Sequence, residues 1–209
     1  MSELTRPIGP NDAFTQGDRL VLSLQEGEEW AFAEAFHLYK DMVYSLCYKL
    51  LTNKAEALDV TQEVFLTVFR KIGSFRAECS LRTWIYRVTI SHAASRNRWW
   101  NRRFWKGTLS LDLGLQTSNG TRPLELPARN RSPAREAYSR ELRIALSESL
   151  KQLSFEQRVA VTLRDLEGLT YDEISEVMGV SIGTVKSRIA RGREKLRELL
   201  KDFRGGEGL

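Results

Sequence analysis

Leu169-Thr170-Tyr171-Asp172-Glu173-Ile174-Ser175-Glu176-Val177-Met178-Gly179-Val180-Ser181-Ile182-Gly183-Thr184-Val185-Lys186-Ser187-Arg188 is the stretch on which the fold of this 209-residue chain turns. Thr170 or Tyr171 opens a short helix ending at Met178, and Gly179-Val180-Ser181 turns the chain. Ser181 then caps a basic helix reaching about Leu200. A short helix, a turn containing glycine and a capped basic helix make a helix-turn-helix. On a helical wheel Ile182, Val185, Ile189 and Leu196 fall on one arc and are expected to face the core. Opposite them lie Gly183, Ser187, Ala190 and Glu194, three of them small, with Arg188, Arg191 and Lys195 on one flank and Lys186, Arg193 and Arg197 on the other. Small residues let such a helix approach the floor of a major groove while the flanking cations meet phosphates or base edges. Ser181 aims the helix N-terminus, itself a favourable phosphate site. The preceding helix carries Asp172, Glu173 and Glu176 and no base, so it is not expected deep against DNA. Its acids can orient arginines of the last helix or meet a protein partner.

Working back from this motif, Ser154 is expected to cap a helix over Phe155 to Asp165, preceded by one over Ala134 to Gln152. Before that, residues 107–135 break the helical pattern with Gly107, Gly114, Gly120, Pro123, Pro127 and Pro133 and no sustained apolar period. This linker spans roughly 30 Å as a coil and at most ~95 Å extended. Upstream, Phe32, Phe36, Tyr39, Val43, Leu46, Cys47 and Leu50 recur at helical spacing from Trp30 onward. A second helix follows Thr52-Asn53, its apolar side supplied by Leu58, Val64, Phe65, Val68, Phe69 and Ile72, with Gly73 as its stop. Ser80 caps a third that buries Leu81, Trp84, Ile85 and Val88 and runs into Arg96-Asn97-Arg98-Trp99-Trp100-Asn101-Arg102-Arg103-Phe104-Trp105-Lys106. The chain therefore reads as all-α, with two small helical domains joined by a flexible linker. The parts are a tail at 1–19, a helical domain at 20–106, the linker at 107–135 and the helix-turn-helix domain at 136–209.

Charge locates the partners. The net charge is +5, yet residues 1–50 carry 4 basic and 8 acidic residues, while 96–106 carry 5 basic and none acidic. Residues 186–201 carry 7 basic against 2 acidic. Two separate basic clusters point to two polyanion contacts. The mixture of cations and aromatics at 96–106 suits single-stranded or melted DNA, because unpaired bases stack on aromatic faces. Cys47 and Cys79 stand 32 positions apart and there are two histidines, which excludes a disulfide framework and argues against zinc. No apolar run is long enough for a membrane span, and Met1 to Pro10 lacks signal-peptide character, so a cytoplasmic location is expected. His37 lies in an apolar-periodic helix and His92 stands alone. With no nucleophile–base spacing and no phosphate-binding glycine loop, neither catalytic residues, metal nor cofactor are expected.

Three ordered blocks carry a family resemblance. They are Asp59-Val60-Thr61-Gln62-Glu63-Val64-Phe65-Leu66, Phe75-Arg76-Ala77-Glu78-Cys79-Ser80-Leu81-Arg82-Thr83-Trp84-Ile85-Tyr86-Arg87, and the helix-turn-helix quoted above. Over roughly residues 20–106 and 136–201 the chain resembles bacterial RNA polymerase sigma factors of the sigma-70 family, extracytoplasmic-function subgroup. That resemblance makes 20–106 sigma region 2 and 136–209 sigma region 4. It implies binding to core RNA polymerase, through the largest subunit's coiled-coil and the flap of the second-largest, and direction of promoter-specific initiation for a stress or envelope-signal regulon. Asp59, Gln62, Glu63, Phe65 and Leu66 fall in the block that docks on the coiled-coil. Ser74, Phe75, Arg76, Arg82, Arg87, Asn97 and Arg98 fall where the family opens the minus-ten element and holds the melted non-template strand. Ser181, Gly183, Thr184, Lys186, Ser187, Arg188, Ala190 and Arg191 fall on the helix that reads the minus-thirty-five duplex. Ala190 and the Trp99-Trp100 pair depart from relatives and leave the promoter sequence open. The resemblance also implies an anti-sigma factor as partner, and no insertion of this chain into the membrane. The competing reading is an autonomous helix-turn-helix regulator, which has no need of the Asp59 to Leu66 block.

Overall fold

The computed structural model describes residues 16–106 and 133–201, with side chains over 19–99 and 141–201. Most of the expected tail and of the linker lie outside the described residues. Eight α-helices are described: α1 (Gln16–Glu26), α2 (Glu29–Leu51), α3 (Lys54–Lys71), α4 (Leu81–Lys106), α5 (Pro133–Lys151), α6 (Phe155–Val161), α7 (Tyr171–Met178) and α8 (Ile182–Leu199). A 3₁₀ turn (Ile72–Ser74) follows α3 and a π turn (Thr162–Leu166) extends α6. No strand occurs among the described residues, and no described helix is long and apolar enough to cross a membrane.

Helix starts follow the sequence signals. Asn53 accepts the Glu56 amide, Ser80 the Thr83 amide and Ser181 the Thr184 amide. Ser154 with Gln157 and Thr170 with Glu173 form reciprocal capping boxes. At Gly179 the backbone turns left-handed, φ +64°, the conformation that lets α7 stop and α8 begin within three residues. Two elements differ from expectation. The helix over Phe155 to Asp165 is α-helical only to Val161, and α1 occupies residues assigned to the tail and to unpatterned sequence.

The front lobe, α1–α4, is centred on Val43, Cys47, Val60, Val64, Val68, Phe75, Leu81 and Ile85, with Leu20 and Leu24 of α1 sealing one side. A second buried cluster joins the lobes: Leu46 and Leu50 of α2 and Tyr86 and Ala93 of α4 pack with Val159, Ala160, Leu163, Leu169, Ile174, Val177, Val185 and Ile189. Arg158 strengthens that seam. Its guanidinium donates to the Leu50 carbonyl at the end of α2, 2.5 Å, and to the Lys151 and Leu153 carbonyls at the end of α5. The orphan carbonyls of two helix ends are thus satisfied by one cation, at the cost of a burial that lowers its pKa.

Periodicity misplaced four apolar side chains. Leu58, expected inside, is 52% exposed, Trp30 and Phe36 are half-exposed, and Ile182 lies at the open rim where α8 leaves the turn. A stripe wider than the neighbouring helix leaves its edge residues in solvent.

Candidate nucleic-acid and protein interfaces

Three surfaces carry the residues singled out by sequence. The first is the outer face of α3. Asp59, Gln62, Glu63 and Leu66 are exposed, whereas Phe65 is buried, its ring 4.8 Å from Phe36 and 5.7 Å from Phe69. Phe65 therefore braces the block from beneath instead of contacting a partner, because its position in the helical period points inward. The apolar part of the face is Leu66, 59% exposed, with Leu58 two turns earlier. Sequence reasoning missed Leu58, although Leu58, Gln62 and Leu66 repeat every fourth residue. Glu63 is also less available than a surface acid. Arg96 of α4 donates to it at 2.6 Å and to Glu56 at 2.6 Å, and His92 Nδ1 stands 3.4 Å away. Burial acts to lower the Arg96 pKa, but the two carboxylates outweigh it and hold the guanidinium charged. Glu63, His92, Ser95, Arg96 and Trp99 line an open groove of about 360 Å³ between α3 and α4.

The second surface is α4 with the loop before it. Ser74 and Arg76 are exposed. Phe75 is buried against Trp84, ring centroids 5.2 Å apart, so it anchors the loop and does not reach a base. Gln25 of α1 bonds the Phe75 carbonyl at 2.8 Å and the Ile72 carbonyl at 3.3 Å, which ties α1 to this loop. Arg82 donates to the Tyr86 hydroxyl, 3.3 Å, its pKa raised first by that bond. Arg87 donates through Nε and Nη2 to the Glu176 carbonyl of α7 at 3.1 and 2.9 Å. Arg98 is exposed and donates to the Ser95 hydroxyl at 3.1 Å, while Asn97 is half-buried. At 100° per residue Arg87 and Arg98 lie within about 20° of each other, and Arg82 and Asn97 within about 60°. The candidates thus form two rows along α4. The side chains of Trp100, Arg102, Arg103, Trp105 and Lys106 lie outside the described residues.

The third surface is α8. Gly183, Lys186, Ser187, Ala190 and Arg191 are exposed, Ser181 sits at the N-cap, and Thr184 and Arg188 are half-buried. Lys186 Nζ lies 5.7 Å from the Tyr171 ring centroid, over whose ring Arg164 also stands at 4.7 Å. Arg193 differs from its flank neighbours. It forms an ion pair with Asp165, so it ties α8 to the π turn, while Lys186 and Arg191 stay exposed. The acids of α7 do not orient arginines of α8. Glu173 completes the Thr170 capping box, and Glu176 meets Arg87. Gly192 is a positioning residue that sequence reasoning passed over: a Cβ there would stand 2.6 Å from Val161 Cγ2. The only signal was a glycine on the apolar arc of a helix, where it costs propensity and needs a packing reason.

Residues 35–101 match the family described as Sigma-70 region 2, and residues 143–196 match Sigma-70, region 4. The chain is 32% identical to the ECF RNA polymerase sigma factor SigW of Bacillus subtilis, covering 88% of this chain and 96% of that one. It is 31% identical to the ECF RNA polymerase sigma-E factor of Escherichia coli K12, covering 85% and 90%. Two solved structures share its fold. CnrH in complex with the cytosolic domain of CnrY gives a TM-score of 0.60 at 19% identity, over 88% of this chain and 96% of that one. The Bartonella quintana sigma factor RpoE in complex with the anti-sigma factor NepR gives 0.59 at 24%, over 81% and 96%.

Proposed function

This chain belongs to the sigma-70 family as an extracytoplasmic-function sigma factor, and on that premise we propose that it binds core RNA polymerase and directs it to promoters through the three surfaces described. The outer face of α3 is the polymerase dock, with Asp59 and Gln62 as polar contacts and Leu58 and Leu66 as the apolar ones. α4 and its preceding loop take the minus-ten element, with Arg82, Arg87, Asn97 and Arg98 as strand contacts and Ser74 and Arg76 beside an extruded base. α8 reads the minus-thirty-five duplex through Lys186, Ser187 and Arg191, with Ser181 presenting the helix N-terminus to a phosphate. Its mechanism is recognition and positioning. Cations draw the backbone in, small residues admit the helix to the groove, and unpaired bases are held once the duplex opens.

The observation that carries this reading is the exposed Leu58, Asp59, Gln62 and Leu66 face on the lobe opposite the helix-turn-helix. A stand-alone regulator needs no such surface. The family consists of transcription initiation factors, and the cytoplasm, where polymerase resides, is the proposed location. An anti-sigma factor is the proposed inhibitor, as in the RpoE–NepR complex. Run-off transcription with purified core polymerase on genomic fragments tests the reading: defined starts that depend on the added chain are expected. Tight promoter binding without polymerase, coupled with no initiation in its presence, would instead identify an autonomous regulator.

A further inference from the structure

We propose that Gln25 of α1 is a positioning residue for base selection: its amide holds the loop before α4 in the shape that presents Ser74 and Arg76 to an extruded base. The role rests on the assignment of that loop to the minus-ten element, and Gln25 acts through the loop, not by contacting DNA. It lies ahead of residues 35–101, the stretch that matches Sigma-70 region 2. Its place is fixed from two sides. Leu24, the residue before it, is 1% exposed and shares a buried cluster with Ile72, Phe75 and Leu81. Just after it, α1 ends in a Schellman motif, with Gly27 left-handed at φ +84°. There the Glu28 amide bonds the Ser23 carbonyl at 3.0 Å and the Gly27 amide the Leu24 carbonyl at 3.3 Å. From this end Gln25 Nε2 donates to the Phe75 carbonyl at 2.8 Å and to the Ile72 carbonyl at 3.3 Å. A primary amide carries two donor protons, one for each carbonyl. The Ile72 carbonyl also accepts the Phe75 amide at 3.0 Å, so the side chain and the backbone close the same turn.

Beyond that anchor, residues 76–79 belong to no helix or strand. Phe75 turns inward onto Trp84 while its neighbours Ser74 and Arg76 are exposed. The Ser74 hydroxyl donates to the Lys71 carbonyl at 2.8 Å. At the far end Ser80 Oγ accepts the Thr83 amide at 3.0 Å. Between these anchors Ala77 sits at φ +55°, the left-handed region that a residue with a Cβ rarely adopts. Such a conformation persists where its surroundings impose it. The two pinned ends impose it here, and Gln25 is the anchor supplied from outside the loop and its flanking helices. Hydrogen-bond readout of a base depends on distance and angle. Releasing this anchor therefore blurs discrimination between bases before it abolishes binding.

The test uses the full chain with core RNA polymerase on one promoter found by run-off transcription, remade with each of the four bases at every minus-ten position. The position read by the loop is the one at which Arg76→Ala flattens the ratio of best to worst base. Gln25→Met keeps the length and loses both donors, and is expected to lower that ratio at least about fivefold. In the free chain it is expected to speed amide exchange across residues 72–80 at least about threefold. Gln25→Lys restores a donor and is expected to return both readings to wild type. Val43→Ala opens a cavity at a fully buried position of α2, and is expected to lower the melting temperature yet leave the ratio unchanged. Unchanged exchange in Gln25→Met, or faster exchange with the ratio intact, overturns the proposal. So does an equal fall of the ratio in Val43→Ala, or a Gln25→Lys no better than Gln25→Met. Should Gln25→Met lose its helical circular dichroism, Gln25→Glu, which keeps the length and offers only acceptors, is judged by the same criteria. A wild-type chain that starts nowhere, or an Arg76→Ala that flattens no position, fails the underlying reading and takes the proposal with it. A wild type and a Gln25→Met that discriminate bases equally well fail the proposal alone.

Discussion

Gly192→Ala isolates the contact that sets α8 on its lobe. An added Cβ would lie 2.6 Å from Val161 Cγ2, 3.5 Å from the Gln157 carbonyl oxygen and 3.6 Å from Gln157 Cβ. Ordinary carbon–carbon contact begins near ~3.5 Å, so only the Val161 methyl is violated, by about 1 Å. Val161 is buried and β-branched, with little rotamer freedom to yield. Overpacking of this kind costs about 1–3 kcal/mol, against which alanine gains ~1 kcal/mol of helix propensity over glycine. The net expectation is a destabilisation of about 1 kcal/mol, or 0–2 across the range of those terms. Urea denaturation followed by circular dichroism measures it. The same substitution in a Val161→Ala background meets no methyl, so it should stabilise by ~1 kcal/mol, giving a coupling of about 1–3 kcal/mol between the positions. Gly192→Ala that stabilises the wild type, with effects that simply add, would refute the packing argument. Retreat of α8 also moves Lys186 and Arg191 together, so duplex affinity should fall without loss of the base preference each confers.

Four further outcomes are expected. Asp59→Arg should weaken association with core polymerase by about tenfold, ~1.4 kcal/mol, while leaving the melting curve unchanged; unaltered co-purification with core would remove Asp59 from the dock. Arg191→Ala should cost on the order of 1–3 kcal/mol on promoters with a matched upstream element, and an equal loss on every duplex would make it a phosphate anchor. Glu173 is held below its ordinary 4.5 by the Thr170 amide and then the Thr170 hydroxyl. Its contribution is therefore full above pH 4.5 and is lost as pH falls through the lowered folded value. Hydrogen exchange in α7 should accelerate over that acid range in the wild type and show no such step in Glu173→Gln. Burial pushes the Cys47 thiol up to about 12, so an alkylating reagent at pH 8 should label the partly exposed Cys79 first and reach Cys47 only on unfolding.

The local code was legible in the sequence. Ser80, Ser154, Thr170 and Ser181 stand where helices begin, Gly179 where one must stop, and the period of α2, α3 and α8 fixed most of the inward residues. The same letters located the two basic clusters and, through the three blocks, the family. These are properties of a residue and its near neighbours, which is why a one-dimensional reading reaches them. What only the tertiary structure decided depends on which helix lies opposite. Phe65 is core and Leu58 is surface because α2 covers one edge of α3 and not the other. Gly192 matters because Val161, 31 positions earlier, is pressed against it. Arg158 serves the ends of two helices from different lobes, and Arg87 faces a carbonyl 89 residues away. No spacing rule encodes those meetings, because they are set by how whole helices pack once their apolar faces leave water.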